Sequence, residues 1–264
     1  MLGTWKAGLG ALRKEGARLV DKDGTEHRFE VQATDDPRKY QRVKHVLVLV
    51  KAWQTERVAG QLKECLADDG LVLTLQNGLG NREALAQSLG LSRVALGTTT
   101  TGATLLSPGL VRAGGEGMIS IERHQALGPI EEALKSAKFN VNVVEDAQSL
   151  IWGKLVINAA INPLTALLRV PNGKLLESPS AREMMGRLAI ETAQVAKREK
   201  IQLPFSDPSP PPKKLLGKQP RIIHPCYRMS CEARRQKSMR FAGRSSKSHK
   251  NTILIHLQIG PAGS

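Results

Sequence analysis

Hydrophobic residues fall in short unbroken runs over the first part of the chain and at helical spacing over the second. "HVLVLV" (45–50) and "LVLTL" (71–75) show no polar alternation. Such runs are expected of strands buried on both faces of a sheet. Between them, "TERVAGQLKECLADDG" puts Val58, Leu62 and Leu66 on one helical face. A turn "QNGLGN" and a helix "REALAQSLG" follow, then a strand over 93–105. "LVRAGGEGMISIE" (110–122) reads as two short strands about a glycine turn, 129–137 as a helix and 140–146 as a last strand. Strands alternating with helices predict a parallel, doubly wound α/β sheet.

After Asp146 the pattern becomes helical, through "AQSLIWGKLVINAAINPLTALL" and "SPSAREMMGRLAIETAQVAKREKI". Ser180, with Glu183 three residues on, has the form of a capping box. From Asp207 the periodicity dissolves into prolines and scattered bases, a composition expected to be disordered. The expected organisation is therefore 1–146 as a doubly wound α/β domain, 147–207 as an all-helical domain, and 208–264 as a basic tail.

Composition changes this picture in two places. Hydrophobic residues make up 41% of the 264 and aromatics only 3%, so the core must be aliphatic. The net charge of +15 is concentrated in the tail: Pro211–Ser264 holds 12 Lys/Arg against one acid, Glu232. The rest is close to neutral, which argues against nucleic acid as a partner of the body. Three cysteines are too few for a disulfide framework. There is no run of about 18 apolar residues, and no apolar leader opens the chain, so a soluble cytoplasmic protein is expected.

Candidate chemistry sits at strand ends and on one helix. Gly8-x-Gly10 in "KAGLGALRKEG" is not a phosphate loop, because no buried strand precedes it and Arg13 stands where a third glycine would be. Lys51 and Gln54, and then Gln76, Asn77 and Gly78, lie just past the carboxyl ends of two buried strands, where doubly wound sheets bind ligands. An exposed lysine and an ordinary Asn-Gly turn would look the same. "GTTTTGA" (97–103) either edges a strand or offers hydroxyls to a cofactor. His224, Cys226 and Cys231 match no zinc spacing, so no metal is expected. "IWGKLVINAAINPLT" (151–165) is the oddity. Lys154, Asn158 and Asn162 recur every four residues, an advance of roughly 400° per step, so they line one helical face. Buried polar groups are costly unless paired. Either these pair with one another or they meet a ligand.

"VKAWQTE", "LQNGLGN", "GTTTTGA" and "IWGKLVINAAINPLTALLRVPNGKLLE", with the spacing between them, resemble the ketopantoate reductase (2-dehydropantoate 2-reductase) family over roughly residues 10–208. The resemblance implies a Rossmann domain followed by a helical domain, and NADPH-dependent reduction of 2-dehydropantoate to pantoate on the route to pantothenate and coenzyme A. It implies Lys154 as the catalytic proton donor, Asn158, Asn162, Asn172 and Asn77 as substrate contacts, and Lys51, Asn77 and Ala103 near NADP. The implied partner is a small keto acid, with a homodimer as the assembly to test. Against the family pattern, the N-terminal strand and its G-x-G-x-x-G turn are not found, which is expected to leave a sheet edge unpaired and turnover weak or absent. The family's C-terminal serine and glutamate are not found either; "QKSMRFAGRSS" (236–246) carries only a faint likeness to the serine segment. A homologue that binds no cofactor, and a binding protein acting through its basic tail, are the other readings.

Overall fold

The computed structural model describes residues 1–114, 117–206 and 208, with the backbone of 255–256. These form two compact units, Met1–Ala147 with the strand Ile255–His256, and a helical part from Gln148 onward.

The first unit is built on one large sheet. Strands β3 (Val43–Val48), β4 (Leu66–Thr74) and β5 (Val94–Thr99) run parallel, with helices α2 (Thr55–Cys65) and α3 (Asn81–Leu89) in the crossovers. Alternate residues of each strand serve opposite cores. Val46, Val48, Val72 and Val94 pack with Val58, Ala59, Leu62 and Leu85 of the two helices. Leu47, Leu71, Leu73 and Ala95 pack on the other face with Ile130 and Leu134 of α4 (Gly128–Ser136). Both faces being covered is why the strands read as continuous apolar runs.

The sheet is parallel only in that core. β8 (Met118–Glu122) lies antiparallel to β5, and β9 (Asn140–Val144) is parallel to β8. Glu122 fixes the reversal by accepting from Leu96 N–H at 3.0 Å and from Arg82 of α3 at 3.1 Å. The expected single strand over 93–105 is two. β5 ends at Thr99, whose hydroxyl accepts from the Thr101 N–H at 3.0 Å, a local bond that competes with the ladder. The chain then enters a second sheet, of order β2 (Glu26–Phe29), β1 (Ala17–Val20), β7 (Leu110–Ala113) and β6 (Ala103–Ser107).

Three further expectations are corrected. The helical pattern through Gly70 stops at Cys65, because Arg93 binds the carbonyls of Ala67 and Gly70 and holds 66–70 extended in β4. The outer edge of β3 is not left unpaired: β10 (Ile255–His256) lies antiparallel to it opposite Leu47 and Val46. Helix α6 (Pro179–Arg198) is capped by Ser178 rather than Ser180; its hydroxyl accepts from Ala181 N–H at 3.3 Å, with Pro179 at the first helical position. The pattern gave no element for 17–29, which forms a hairpin of β1 (Ala17–Val20) and β2 (Glu26–Phe29) after α1 (Lys6–Glu15). Asp21 closes the turn by accepting from the N–H groups of Asp23 and Thr25. The tail expected to be disordered lies outside the described residues, apart from Pro208 and β10.

The second unit rests on α5 (Ala147–Leu168), which runs on through Pro163. By length and hydropathy this helix could cross a membrane. Here Val156, Ala160, Ile161 and Leu164 are buried against Ala181, Met185 and Ala189 of α6, as in a core helix. Gly153 lets the segment at Pro204 and Phe205 cross α5 closely; a Cβ there would lie 2.6 Å from Pro204 Cγ. Gly153→Ala is therefore expected to destabilise the unit by about 1–3 kcal/mol through overpacking. Chemical denaturation read on far-UV circular dichroism checks this; an unchanged midpoint would mean that the crossing is not tight.

Candidate active site

The three parallel strands bring their carboxyl ends to one edge of the first unit. Lys51 follows β3 and Asn77 follows β4, both with exposed side chains. Ala103 is exposed too, but it opens β6 in the other sheet, beyond the Thr100–Gly102 turn. Beneath the exposed residues lies a buried polar floor of Gln54, Thr55, Gln76 and Asn81. Gln54 Oε1 accepts from the Lys51 N–H at 3.2 Å. Gln76 Nε2 donates to Val50 O and to Thr55 Oγ1, each at 2.9 Å. Gly78 and Gly80 take φ of +94° and +82°, the left-handed region. That tight turn leaves the carbonyls of Asn77 and Gly78 within reach of Asn81 Nδ2, at 3.2 and 3.3 Å. The loops 49–54, 75–80 and 100–103 contain no acidic residue. In the last, Thr101 Oγ1 is buried with no hydrogen-bond partner among the described residues.

In the second unit, Lys154, Asn158 and Asn162 fall on one face of α5, as the spacing predicts. Two residues along a helix turn it by about 200°, so Lys154 points away from Val156, Ala160 and Leu164, while buried Ile161, seven residues on, shares its face. All three polar side chains are half-buried. Burial pushes the Lys154 ammonium below the usual lysine pKa, because it penalises the charged form. Neither carboxamide of Asn158 or Asn162 hydrogen-bonds to another described residue. Asn172 stands apart from the row, at the start of the 3₁₀ turn Asn172–Glu177 after Pro171. Its Oδ1 is buried and has no partner among the described residues. A carbonyl oxygen out of water without a donor is an uncommon expense in a folded protein.

Sequence reasoning named Gln54 and Gln76 as strand-end polar residues but gave them no part in the site, and it missed Thr55 and Asn81. At helix starts, Thr and Asn read as caps, and nothing in the one-dimensional pattern tells a cap from a buried cross-link. Among the described residues, no cluster of three or more His, Cys, Asp or Glu could hold a metal ion. The residues His224, Cys226 and Cys231, and the segment 236–246, lie outside the described part.

Comparison with known proteins bears on both units. Residues 1–126 match the family described as ketopantoate reductase PanE/ApbA, and 146–241 match its C-terminal counterpart. A 2-dehydropantoate 2-reductase of Halobacterium salinarum is 34% identical over 209 residues, spanning 77% of this chain and 68% of the relative. The chain belongs to the ketopantoate reductase family. A second 2-dehydropantoate 2-reductase, from Archaeoglobus fulgidus, is 37% identical over 190 residues, and this chain spans 62% of its length. In structure, a PanE/ApbA family ketopantoate reductase from Ralstonia eutropha aligns with a TM-score of 0.79 at 27% identity, covering 86% of this chain and 76% of that one.

For this ketopantoate reductase homologue, the orphaned oxygen of Asn172 makes a simple stability prediction. Deleting an unpaired buried acceptor removes a desolvation cost instead of an interaction. Asn172→Ala is expected to leave stability unchanged or to raise it by up to about 1 kcal/mol. Urea denaturation of the two proteins measures this, and a loss beyond that size would show the amide to be structural.

Proposed function

We propose that this chain is an NADPH-dependent 2-dehydropantoate 2-reductase acting in the cytoplasm, with residues 1–146 serving the cofactor and 147–207 the substrate. The observation that carries the reading is the half-buried row Lys154–Asn158–Asn162 on an otherwise apolar helix, with the donor-less Asn172 Oδ1 in the same unit.

The residues at the strand ends suit a dinucleotide. Their loops bring no carboxylate against its phosphates, Lys51 can meet an anion, and Asn77 and the Thr101 hydroxyl, which has no partner among the described residues, can bond a ribose or carboxamide. Gly8 and Gly10 take no part, since both lie inside α1. When bound, the nicotinamide supplies a hydride to the ketone carbon. The chain's own task is to hold the keto acid and manage the charge that then appears on oxygen. Lys154 Nζ, protonated, stabilises the developing alkoxide and gives it a proton, which completes the alcohol. A depressed pKa makes that ammonium a better acid. Asn158, Asn162, Asn172 and Asn77 orient the carboxylate and hydroxyl of the substrate without adding charge. Asn172 Oδ1, an acceptor only, suits a substrate hydroxyl.

The test is ketopantoate-dependent loss of NADPH absorbance. Lys154→Met is expected to lower kcat by about 10²–10⁴-fold, the span typical of a general acid. Asn172→Ala is expected to raise KM for the keto acid while leaving kcat less affected. The pH profile follows from the direction of the lysine shift. The protonated form is active, so kcat/KM should hold at lower pH and fall as pH rises through a pKa below the ordinary lysine value. Lys154→Arg should move that alkaline limb out of range while lowering the rate. Fluorescence titration that finds no saturable NADPH binding by the unaltered chain would overturn this reading in favour of a non-catalytic homologue.

A further inference from the structure

The buried polar residues under the strand-end loops form one closed chain of hydrogen bonds. It begins at the carbonyl of Val50, immediately before Lys51, which accepts from Gln76 Nε2. The second Nε2 hydrogen goes to Thr55 Oγ1, and Gln76 Oε1 accepts from Thr74 Oγ1 at 3.0 Å. Thr55 Oγ1 lies 3.0 Å from Asn81 Oδ1 and 2.8 Å from Ala52 O, so its single proton serves one of the two at a time. The two hydrogens on Asn81 Nδ2 end the chain on the carbonyls of Asn77 and Gly78. Thr55, Gln76 and Asn81 are 2%, 7% and 5% exposed. Both hydrogens of each carboxamide are used, and each amide oxygen faces a hydroxyl.

We propose that Gln76, Thr55 and Asn81 are positioning residues that clasp the loop bearing Lys51 to the loop bearing Asn77. The proposal rests on the function given above, in which those two exposed residues contact cofactor and substrate. The physical argument is one of stakes. Each bond in a low-dielectric interior is strong, and each broken one leaves a buried polar group unpaired, so the network permits one arrangement of the two loops. A hydrophobic floor would support the same helices without fixing how far apart Lys51 and Asn77 sit. Thr55 is the hinge of the device. It is the only side chain in the chain of bonds that joins the Gln76 end to the Asn81 end.

The clasp is tested by Thr55→Val, which keeps shape and removes the hydroxyl, with Thr55→Ser as the rescue. Asn81→Asp is the second variant; it keeps the oxygen near Thr55 and loses both donors to the Asn77 loop. Amide hydrogen exchange is expected to speed up by about tenfold or more in the first turn of α3, where the Ala84 N–H donates to the Gly80 carbonyl at 3.0 Å, in both variants, with residues 71–73 of β4 unchanged. Thr55→Ser should restore the slow exchange. In the NADPH assay, the Thr55→Val variant should raise KM for cofactor or substrate by about tenfold, with a smaller change in kcat. Unchanged exchange at Ala84 in both variants would overturn the clasp. So would an equal rise across all of β4, the mark of a merely structural residue. If the unaltered chain binds no NADPH, the function falls, and the exchange measurement still decides whether the clasp exists.

Discussion

Much of this molecule follows from one constraint: a polar group taken out of water must find a partner. The first unit meets it internally. The strand-end loops carry backbone carbonyls that the sheet does not satisfy, and Gln76, Thr55 and Asn81 satisfy them from below. This leaves Lys51 and Asn77 exposed above a fixed floor. The second unit resolves the constraint differently. On α5, Asn158 and Asn162 are half-buried, and in the turn that follows the Asn172 oxygen has no donor among the described residues. The carboxamides of the first unit cross-link its loops, and in the function proposed above those of the second meet a ligand.

That contrast explains what could be read in the sequence. The row on α5 was legible because helical spacing alone fixes which residues share a face, whatever the helix packs against. The doubly wound core was legible for a related reason: strands buried on both faces need apolar residues at every position. Where contacts distant in sequence decide the outcome, the reading failed. Nothing local marks 66–70 as strand; it takes the Arg93 guanidinium, arriving from beyond α3, to hold those carbonyls extended. The break after Thr99 depends on a hydroxyl choosing a backbone N–H two residues on, where β-branched threonines would otherwise favour one continuous strand. The capping-box pattern pointed to Ser180, and Pro179, which prefers the first helical position, places the cap at Ser178 instead.

The candidate site was legible in its exposed chemistry but not in its support. Lys51, Asn77 and the α5 row are polar residues in apolar or strand-end settings, and the pattern marks them out. Thr55 and Asn81 begin helices, where such residues are expected in any case. Their cross-links are 26 residues apart in sequence, which no spacing rule reaches. The residue types that hold a site in place thus resemble ordinary helix chemistry, while those proposed to act on the ligand stand out.

For the proton donor proposed above, a place on an apolar helix is useful. An exposed ammonium holds its proton tightly near neutral pH and is screened by water. Full burial without a partner would strip the proton away altogether. Lys154 lies between these limits, half-covered, with its pKa pushed down by burial rather than by a neighbouring cation. The row extends that logic. Neutral carboxamides one and two turns away can bind a carboxylate without raising the lysine pKa again, as acidic neighbours would. A proton donor of the proposed kind needs neighbours that are polar but uncharged, and asparagine at positions 158 and 162 meets that requirement.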